Sequence, residues 1–285
     1  MQLVNKTIII TGANQGFGLA IAKEFAKQGA NLVLSARNYS LLEEVKIQIK
    51  NEFNIDVRII KSDVSNIEDN KKTAELAIRE FGTIDVFVAN AGIYGPKGST
   101  EAVNLEEWSN AIDINLKGVV YGCASVIHDM KKNRSGKIII LSGGGATKPM
   151  PFLSSYAASK AGVVRFMESL SLEVNEFNID VNAIAPGALN TRLLKEVLDA
   201  GPDLVGAQFY EQSLKQVESG GAGFVNGVNL CLFLASVKSN KITGKLISAI
   251  WDKWESFDEK LNELINSDIY TLRRIIPEDR NKNWN

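Results

Sequence analysis

The chain has 285 residues, of which 45% are hydrophobic, so it can bury a substantial core in one large domain or two small ones. With 32 basic against 33 acidic residues, its formal net charge of -1 gives no overall field that would attract nucleic acid or an anionic membrane. We therefore expect its partners to be small molecules or further copies of the chain.

Signals for export, membrane insertion and metal binding are missing from the sequence. No basic region followed by a long apolar run opens the chain, and the longest apolar runs fall far short of the roughly 20 residues that a membrane helix needs. We therefore expect a soluble, cytoplasmic protein. Cys123 and Cys231 are predicted to be reduced and buried. His128 is the sole histidine, which argues against a histidine metal site or a Ser-His-Asp triad.

Short runs rich in β-branched residues alternate along the chain with longer segments of helical period. The predicted strands are Thr7 to Ile10, Asn31 to Leu34, Asp56 to Ile60, Ile84 to Val88, Lys137 to Leu141, Ile179 to Ile184 and Leu246 to Ile250. The predicted helices span 17–28, 39–52, 66–81, 104–132, 154–177 and 224–235. This alternation predicts an α/β fold, a Rossmann-like doubly wound parallel sheet of about seven strands with helices on both faces.

Residues 1–250 are predicted to form one such domain, and residues 251–285 a short C-terminal extension packed on or near the substrate site. Breaks at Gly201-Pro202 and at 220–223 interrupt an otherwise helical region and suggest the hinges of a lid. In a doubly wound sheet, ligands bind at the carboxyl ends of the strands.

A glycine-rich turn joins the first strand to the first helix. Its sequence is Thr11-Gly12-Ala13-Asn14-Gln15-Gly16-Phe17-Gly18. In that context glycines permit a tight turn, let backbone N–H groups approach a pyrophosphate, and bring the helix against the strand. The turn therefore predicts a dinucleotide site. Its Gly-x-x-x-Gly-x-Gly spacing departs from the commoner dinucleotide fingerprint.

Further segments follow in a fixed order. They are Asp63-Val64, Asn90-Ala91-Gly92, Asn115-Leu116-Lys117-Gly118, Tyr156-Ala157-Ala158-Ser159-Lys160 and Pro186-Gly187 with Thr191. Together with the glycine turn, this series resembles the short-chain dehydrogenase/reductase family across residues 1–250. The resemblance implies that Asp63 and Val64 edge the adenine and that Asn90-Ala91-Gly92 supports the cofactor pocket. It also implies that residues 185–191, with Pro186, Gly187 and Thr191, meet the nicotinamide.

The end of the second strand indicates which nicotinamide cofactor binds. An acidic residue there would accept hydrogen bonds from the adenosine ribose and repel a 2'-phosphate, but this chain has Ala36 and Arg37. Arg37 can bind that phosphate through a charge-assisted fork. We therefore predict NADP(H) as the preferred cofactor and keep NAD(H) as the alternative, since Gln15 stands where such relatives often have a basic residue.

Tyr156 and Lys160 are four residues apart, so both side chains emerge from one face of a helix. Lowering a tyrosine pKa from about 10 to about 7 takes roughly 4 kcal/mol, which an ammonium about 4 Å away supplies at an effective dielectric near 20. We expect Tyr156 to exchange a proton with the substrate while the nicotinamide exchanges a hydride. The resemblance implies that Lys160 also holds the nicotinamide ribose and that Asn115 anchors a water for proton relay.

One departure from the family concerns the catalytic serine. The pair here is Ser142-Gly143, and counting from Asn115 or Tyr156 puts Gly143 where the hydroxyl belongs. Two interpretations stay open. A bulge in the following glycines brings Ser142 into place, which we favour, or backbone N–H groups of Gly143–Gly145 bind the oxyanion.

Three functions remain after these observations. The leading prediction is an oxidoreductase that interconverts a carbonyl and a secondary alcohol. The alternatives are a nucleotide-sugar epimerase or dehydratase with permanently bound cofactor, and a non-catalytic regulator that kept the cofactor pocket. In the extension, Trp251 and Trp254 either cover apolar surface or join Arg273 and Arg274 in a clamp on the substrate. The resemblance implies a homodimer or homotetramer.

Overall fold

The computed structural model describes residues 1–284 and contains one seven-stranded sheet in which neighbouring strands pair in parallel. The strands are β1 (Thr7–Thr11), β2 (Asn31–Ala36), β3 (Val57–Lys61), β4 (Val86–Ala89), β5 (Gly136–Leu141), β6 (Ile179–Ala185) and β7 (Leu246–Ser248). Their order in the sheet is β3-β2-β1-β4-β5-β6-β7. This order reverses between β1 and β4, where a crevice opens at the carboxyl ends of the strands. The predicted doubly wound sheet is confirmed, and individual strand ends differ from the prediction by one or two residues.

Helices cover both faces of the sheet. The α-helices are α1 (Gly16–Lys27), α2 (Tyr39–Glu52), α3 (Ile67–Phe81), α4 (Leu105–Ile112), α5 (Gly118–Asn133), α6 (Ser154–Val174), α7 (Arg192–Ala200), α8 (Pro202–Val205), α9 (Ala207–Glu218), α10 (Val225–Ala235) and α11 (Leu261–Ile265). Side chains from α1, α2 and α10 form the core on one face, and those from α3, α5 and α6 form the core on the other.

Successive residues of β1 alternate between the two cores. Ile8 and Ile10 of β1 face one core and Ile9 faces the other, and all three are at most 1% exposed. Burial of each such side chain stabilises the fold by about 1.5–3 kcal/mol. A strand covered on both sides needs apolar residues at consecutive positions, which explains why β1 reads as a continuous apolar run in the sequence.

Local signals in the sequence set several helix ends. The side chains of Asn38, Asn66 and Asn104 accept hydrogen bonds from backbone N–H groups in the first turns of α2, α3 and α4. At the other end of α3, Gly82 ends the helix with φ of 83°, a left-handed conformation that favours glycine.

The segment predicted as one helix over 104–132 is helical from Leu105 to Asn133, but it is not one regular α-helix. The structure has α4, then a π-helical turn at Asp113–Lys117, then α5. The periodicity of the sequence does not reveal the extra residue of a π-turn, which is held by tertiary contacts from the Asn115 side chain. The helical region after β6 is divided into α7, α8 and α9, whose bounds the sequence did not predict. Gly201 and Gly206 separate them with φ of 77° and 82°.

The C-terminal residues pack beside β7 and α6. The backbone N–H of Leu246 donates to the carbonyl oxygen of Tyr270 over 2.8 Å, and that of Ser248 donates to the Asp252 carboxylate over 2.6 Å. The buried Lys245 ammonium donates to two carbonyl oxygens of the same segment, at Ser267 and Ile269. This segment is therefore part of the folded domain.

Among residues 1–284, no helix is long and apolar enough to cross a membrane. Cys123 and Cys231 are both buried as free thiols. His128 lies exposed on α5.

Candidate active site

A cleft of about 410 Å³ opens at the carboxyl ends of β1, β2 and β4. It is lined by residues that the sequence assigned to the cofactor, namely Gly12, Asn14, Gln15, Gly16, Phe17, Gly18, Arg37, Asp63, Val64, Asn90, Ala91, Gly92 and Thr191. Segments that are far apart in the sequence thus meet in one crevice, because the carboxyl ends of parallel strands lie along the same edge of the sheet.

The glycine turn has the shape that a dinucleotide phosphate needs. Gly12 and Gly16 have φ of 65° and 56°, and a Cβ at Gly18 would lie 2.4 Å from the Gly12 carbonyl oxygen. The first turn of α1 has no acidic residue, and the Gln15 side chain does not cap it. Its backbone N–H groups are therefore available to an anion, and the residues present fit a nucleotide pyrophosphate.

Asn90 ties the glycine turn to β4. Its side-chain amide donates to the carbonyl oxygens of Thr11 and Gly12, at 2.9 and 3.2 Å. In return, the Thr11 hydroxyl accepts hydrogen bonds from the backbone N–H groups of Asn90 and Ala91, at 3.0 and 3.1 Å. These contacts fix the crevice between β1 and β4 where the sheet order reverses.

At the far end of this cleft, Arg37 is exposed and forms no ion pair or hydrogen bond with the described residues. The Asp63 carboxylate is already engaged by the Ser65 backbone and hydroxyl, at 2.9 and 2.7 Å. The Arg37 guanidinium is therefore free to bind an anionic group at the end of β2.

A second cavity of about 590 Å³ adjoins the first, and the two share Phe17, Asn90, Gly92, Thr191 and Leu193. Its wall brings together the predicted catalytic residues and the segment after β6, including Ser142, Gly143, Tyr156, Lys160, Ala185, Pro186, Gly187 and Leu189. A ligand in the first cavity can therefore reach the groups in the second.

Tyr156 and Lys160 lie one turn apart on α6. The Lys160 Nζ is 5.6 Å from the centre of the Tyr156 ring and donates to the Leu141 carbonyl oxygen over 2.7 Å. Burial lowers the pKa of Lys160 to about 8. Burial raises the pKa of Tyr156 above its ordinary value, and nearby Tyr94 adds to this effect. The expected lowering of the Tyr156 pKa by the ammonium is therefore not found, because loss of hydration raises the pKa instead.

Asn115 lies in the π-turn and is fully buried. Its side chain bonds both backbone groups of Ile93, at 2.9 and 2.8 Å, and donates to the Ser159 hydroxyl over 3.1 Å. A Cβ at Gly92 would lie 3.2 Å from the Asn115 oxygen and 3.7 Å from the Lys160 Nζ. Asn115 thus connects the loop after β4 with the helix that carries Tyr156 and Lys160.

The geometry after β5 separates Ser142 from Gly143. Ser142 lines the cavity, but its hydroxyl donates toward the Lys160 carbonyl oxygen, 3.4 Å away. A Cβ at Gly143 would instead lie 2.8 Å from the Tyr156 hydroxyl oxygen. The position that faces the phenol therefore has no side chain. The backbone N–H of Gly143 has no hydrogen-bond partner among residues 1–284. This favours a backbone oxyanion site over the Ser142 hydroxyl, and both assignments stay predictions.

The sequence indicates the stretches that supply most of the remaining wall, but not the individual residues. The additional lining residues are Tyr94, Thr147, Lys148, Met150, Leu193, Leu194, Phe209, Ser213, Gln216, Leu246, Ser248, Trp251 and Asp252. The stretches 94–103, 144–153 and 189–222 supply most of them, but no motif distinguishes these positions within the stretches. They are brought together by loops and by α7 and α9.

The C-terminal extension contributes Trp251 and Asp252 to the cavity wall. Trp254 is buried against Phe233, with ring centres 5.6 Å apart, and thus covers apolar surface. Arg273 and Arg274 line neither cavity, and the Arg273 guanidinium pairs with Asp268 over 2.8 Å. The structure gives no support to an arginine clamp on the substrate.

Comparisons with known proteins agree with this geometry. A family model described as short chain dehydrogenase matches residues 6–201. The chain is 36% identical over 247 residues to the 3-oxoacyl-[acyl-carrier-protein] reductase FabG of Chlamydia muridarum, across 86% of this chain and 96% of that protein. It is 37% identical over 195 residues to the 3beta-hydroxysteroid dehydrogenase 1 of Eggerthella lenta, across 68% of this chain and 74% of that protein.

Among solved structures, levodione reductase superposes with a TM-score of 0.80 at 27% identity. The match covers 90% of this chain and 99% of that one. The likeness therefore extends well beyond the nucleotide cleft, through the strands and helices that carry the second cavity.

Proposed function

The chain belongs to the short-chain dehydrogenase family, and from that premise we propose that it interconverts a carbonyl and a secondary alcohol with NADP(H), using Tyr156 as acid and base. The observation that carries the proposal is the pairing of a phenol and an ammonium on one face of α6, in a cavity that adjoins the nucleotide cleft. When bound, the nicotinamide supplies or accepts the hydride.

In the direction of reduction, the Tyr156 phenol donates its proton to the carbonyl oxygen as negative charge develops there. Its raised pKa keeps the phenol protonated at neutral pH, which is the form that this step requires. Lys160, held by the Leu141 carbonyl oxygen, places a positive charge beside the phenol and stabilises the phenolate left behind.

The preference for NADP(H) rests on Arg37. An exposed guanidinium at the end of β2, with no partner among the described residues, suits the 2'-phosphate of the adenosine ribose. Ala36 precedes it in the position where an acidic residue would favour NAD(H).

Turnover of a ketone panel by the Tyr156→Phe variant tests the proposal. The panel contains a 3-oxoacyl thioester, a 3-ketosteroid and levodione, taken from the names of the similar proteins. We expect the wild type to oxidise NADPH in proportion to one of these ketones, and Tyr156→Phe to lower kcat about 10²- to 10⁴-fold. NADPH binding, measured by fluorescence titration, should be retained.

Two results would contradict the proposal. One is a Tyr156→Phe variant as active as the wild type. The other is tightly retained cofactor without net oxidation of NADPH by any ketone, which would favour the epimerase alternative.

A further inference from the structure

Tyr94 places a second phenol beside Tyr156. It lies in the loop after β4 and lines the same cavity. The ring centres of Tyr94 and Tyr156 are 4.6 Å apart at an interplanar angle of 62°, an edge-to-face contact. The Tyr94 carbonyl oxygen accepts a hydrogen bond from the Ser155 hydroxyl over 3.3 Å. The backbone of Tyr94 is thus tied to the residue that precedes Tyr156.

Neither of these two phenol hydroxyls has a hydrogen-bond partner among residues 1–284. Both residues line the cavity, so their hydroxyls are accessible to a ligand, and two unpartnered hydroxyls on one wall suggest that the cavity receives a polar group. Burial raises the pKa of Tyr94 to about 12, and the Glu196 carboxylate adds to the effect. Tyr94 therefore stays protonated through the physiological range and can act as a hydrogen-bond donor.

The neighbouring groups leave Tyr94 available for this role. The Ser142 hydroxyl is directed at a backbone carbonyl, and Gly143 has no side chain to offer the substrate. Lys97, which lies 5.9 Å from the centre of the Tyr94 ring, pairs with Glu196 over 3.6 Å. These contacts leave the Tyr94 hydroxyl itself unengaged.

We propose that Tyr94 orients the substrate, its hydroxyl donating a hydrogen bond to the same carbonyl oxygen that Tyr156 protonates. Two donors fix the oxygen in position and stabilise the negative charge that develops on it. The ammonium beside Tyr94, that of Lys97, is paired with Glu196, whereas Lys160 beside Tyr156 has no carboxylate partner among the described residues, so Tyr156 transfers its proton and Tyr94 keeps its own. This inference rests on the proposed function, because it needs a carbonyl substrate in the second cavity.

The Tyr94→Phe variant tests the inference, since it keeps the edge-to-face ring contact and removes only the hydroxyl. With the panel ketone that the wild type reduces best, we expect kcat to fall about 10- to 100-fold. The Kd for NADPH and the melting temperature should stay at the wild-type values. Tyr121→Phe is the matched control: Tyr121 lies on α5 and lines neither cavity, so its activity should be unchanged.

The possible outcomes separate this inference from the proposed function. If Tyr94→Phe keeps kcat within about twofold of the wild type while Tyr156→Phe is inactive, Tyr94 has no orienting role and the proposed function stands. A rise in KM with unchanged kcat would also refute the role, since the hydrogen bond is expected to strengthen as charge develops. An active Tyr156→Phe variant, or a wild type that reduces no ketone, would overturn both.

Discussion

The ammonium of Lys160 is enclosed in the protein, and burial lowers its pKa from 10.5 to about 8. Ketone reduction uses the charged form of Lys160, so the rate should be constant at neutral pH and fall as the pH rises through about 8. The pKa of Tyr156 is shifted upward, and its phenol therefore stays protonated while Lys160 loses its charge. A pH profile of kcat/KM checks this prediction. The Lys160→Met variant should be slow and show no such decline, and a wild-type profile that is level to pH 10 would disprove the assignment.

Arg37 gives a second prediction at the scale of a single residue. Arg37→Ala should lower kcat/KM for NADPH about 10- to 100-fold, because a charge-assisted pair with the 2'-phosphate contributes about 1.5–3 kcal/mol. The value for NADH should change little, since NADH has no such phosphate. Arg274→Ala removes an exposed arginine outside both cavities and serves as the control. A wild type with the higher kcat/KM for NADH would refute the preference.

At the scale of elements, the sequence predicts the strands and helices that have a repeating apolar pattern or a local capping residue. The continuous apolar run of β1 and the caps at Asn38 and Asn66 follow from short-range physics, and so the sheet and most helices were predictable. The π-turn was not, because the contacts between Asn115 and Ile93 that hold it join residues in separate elements.

The candidate site also has a part that the sequence predicts and a part that it does not. Most residues of the nucleotide cleft belong to ordered motifs, and the sequence predicts them. Tyr94 and Trp251 belong to no motif, and they reach the second cavity only because folding brings the loop after β4 and the end of β7 to the same edge. Counting along the sequence puts Gly143 opposite Tyr156, and the structure has Gly143 there, but the hydrogen bond from the Ser142 hydroxyl to the Lys160 carbonyl oxygen has no signal in the sequence.

At the scale of the whole molecule, we expect the C-terminal segment to contribute mainly to stability. Deletion of residues 267–285 would leave the buried charges of Lys245 and Glu168 without their backbone partners. We expect the free energy of unfolding to fall by about 2–5 kcal/mol while KM stays within about twofold. Trp251→Ala should show the reverse pattern, an altered KM with unchanged stability, because Trp251 is 85% exposed at the cavity wall.

A single substitution tests the same contribution of the C-terminal segment to stability. The Glu168 carboxylate accepts a hydrogen bond from the Leu272 backbone over 2.6 Å, and Glu168→Gln should weaken it at a cost of about 1–2 kcal/mol in urea unfolding. Glu173→Gln, on the exposed side of α6, should have no effect. A truncated protein with wild-type stability and a severalfold higher KM would mean that the segment serves the substrate instead.

The contacts of Leu246 and Ser248 also have a consequence for association between molecules. Edge strands with open amide groups invite strands from other chains, which is a common route to aggregation. At β7 the two outward amides are already occupied by Tyr270 and Asp252 of the same chain. A strand from another chain could add to this edge of the sheet only after the C-terminal segment had been displaced.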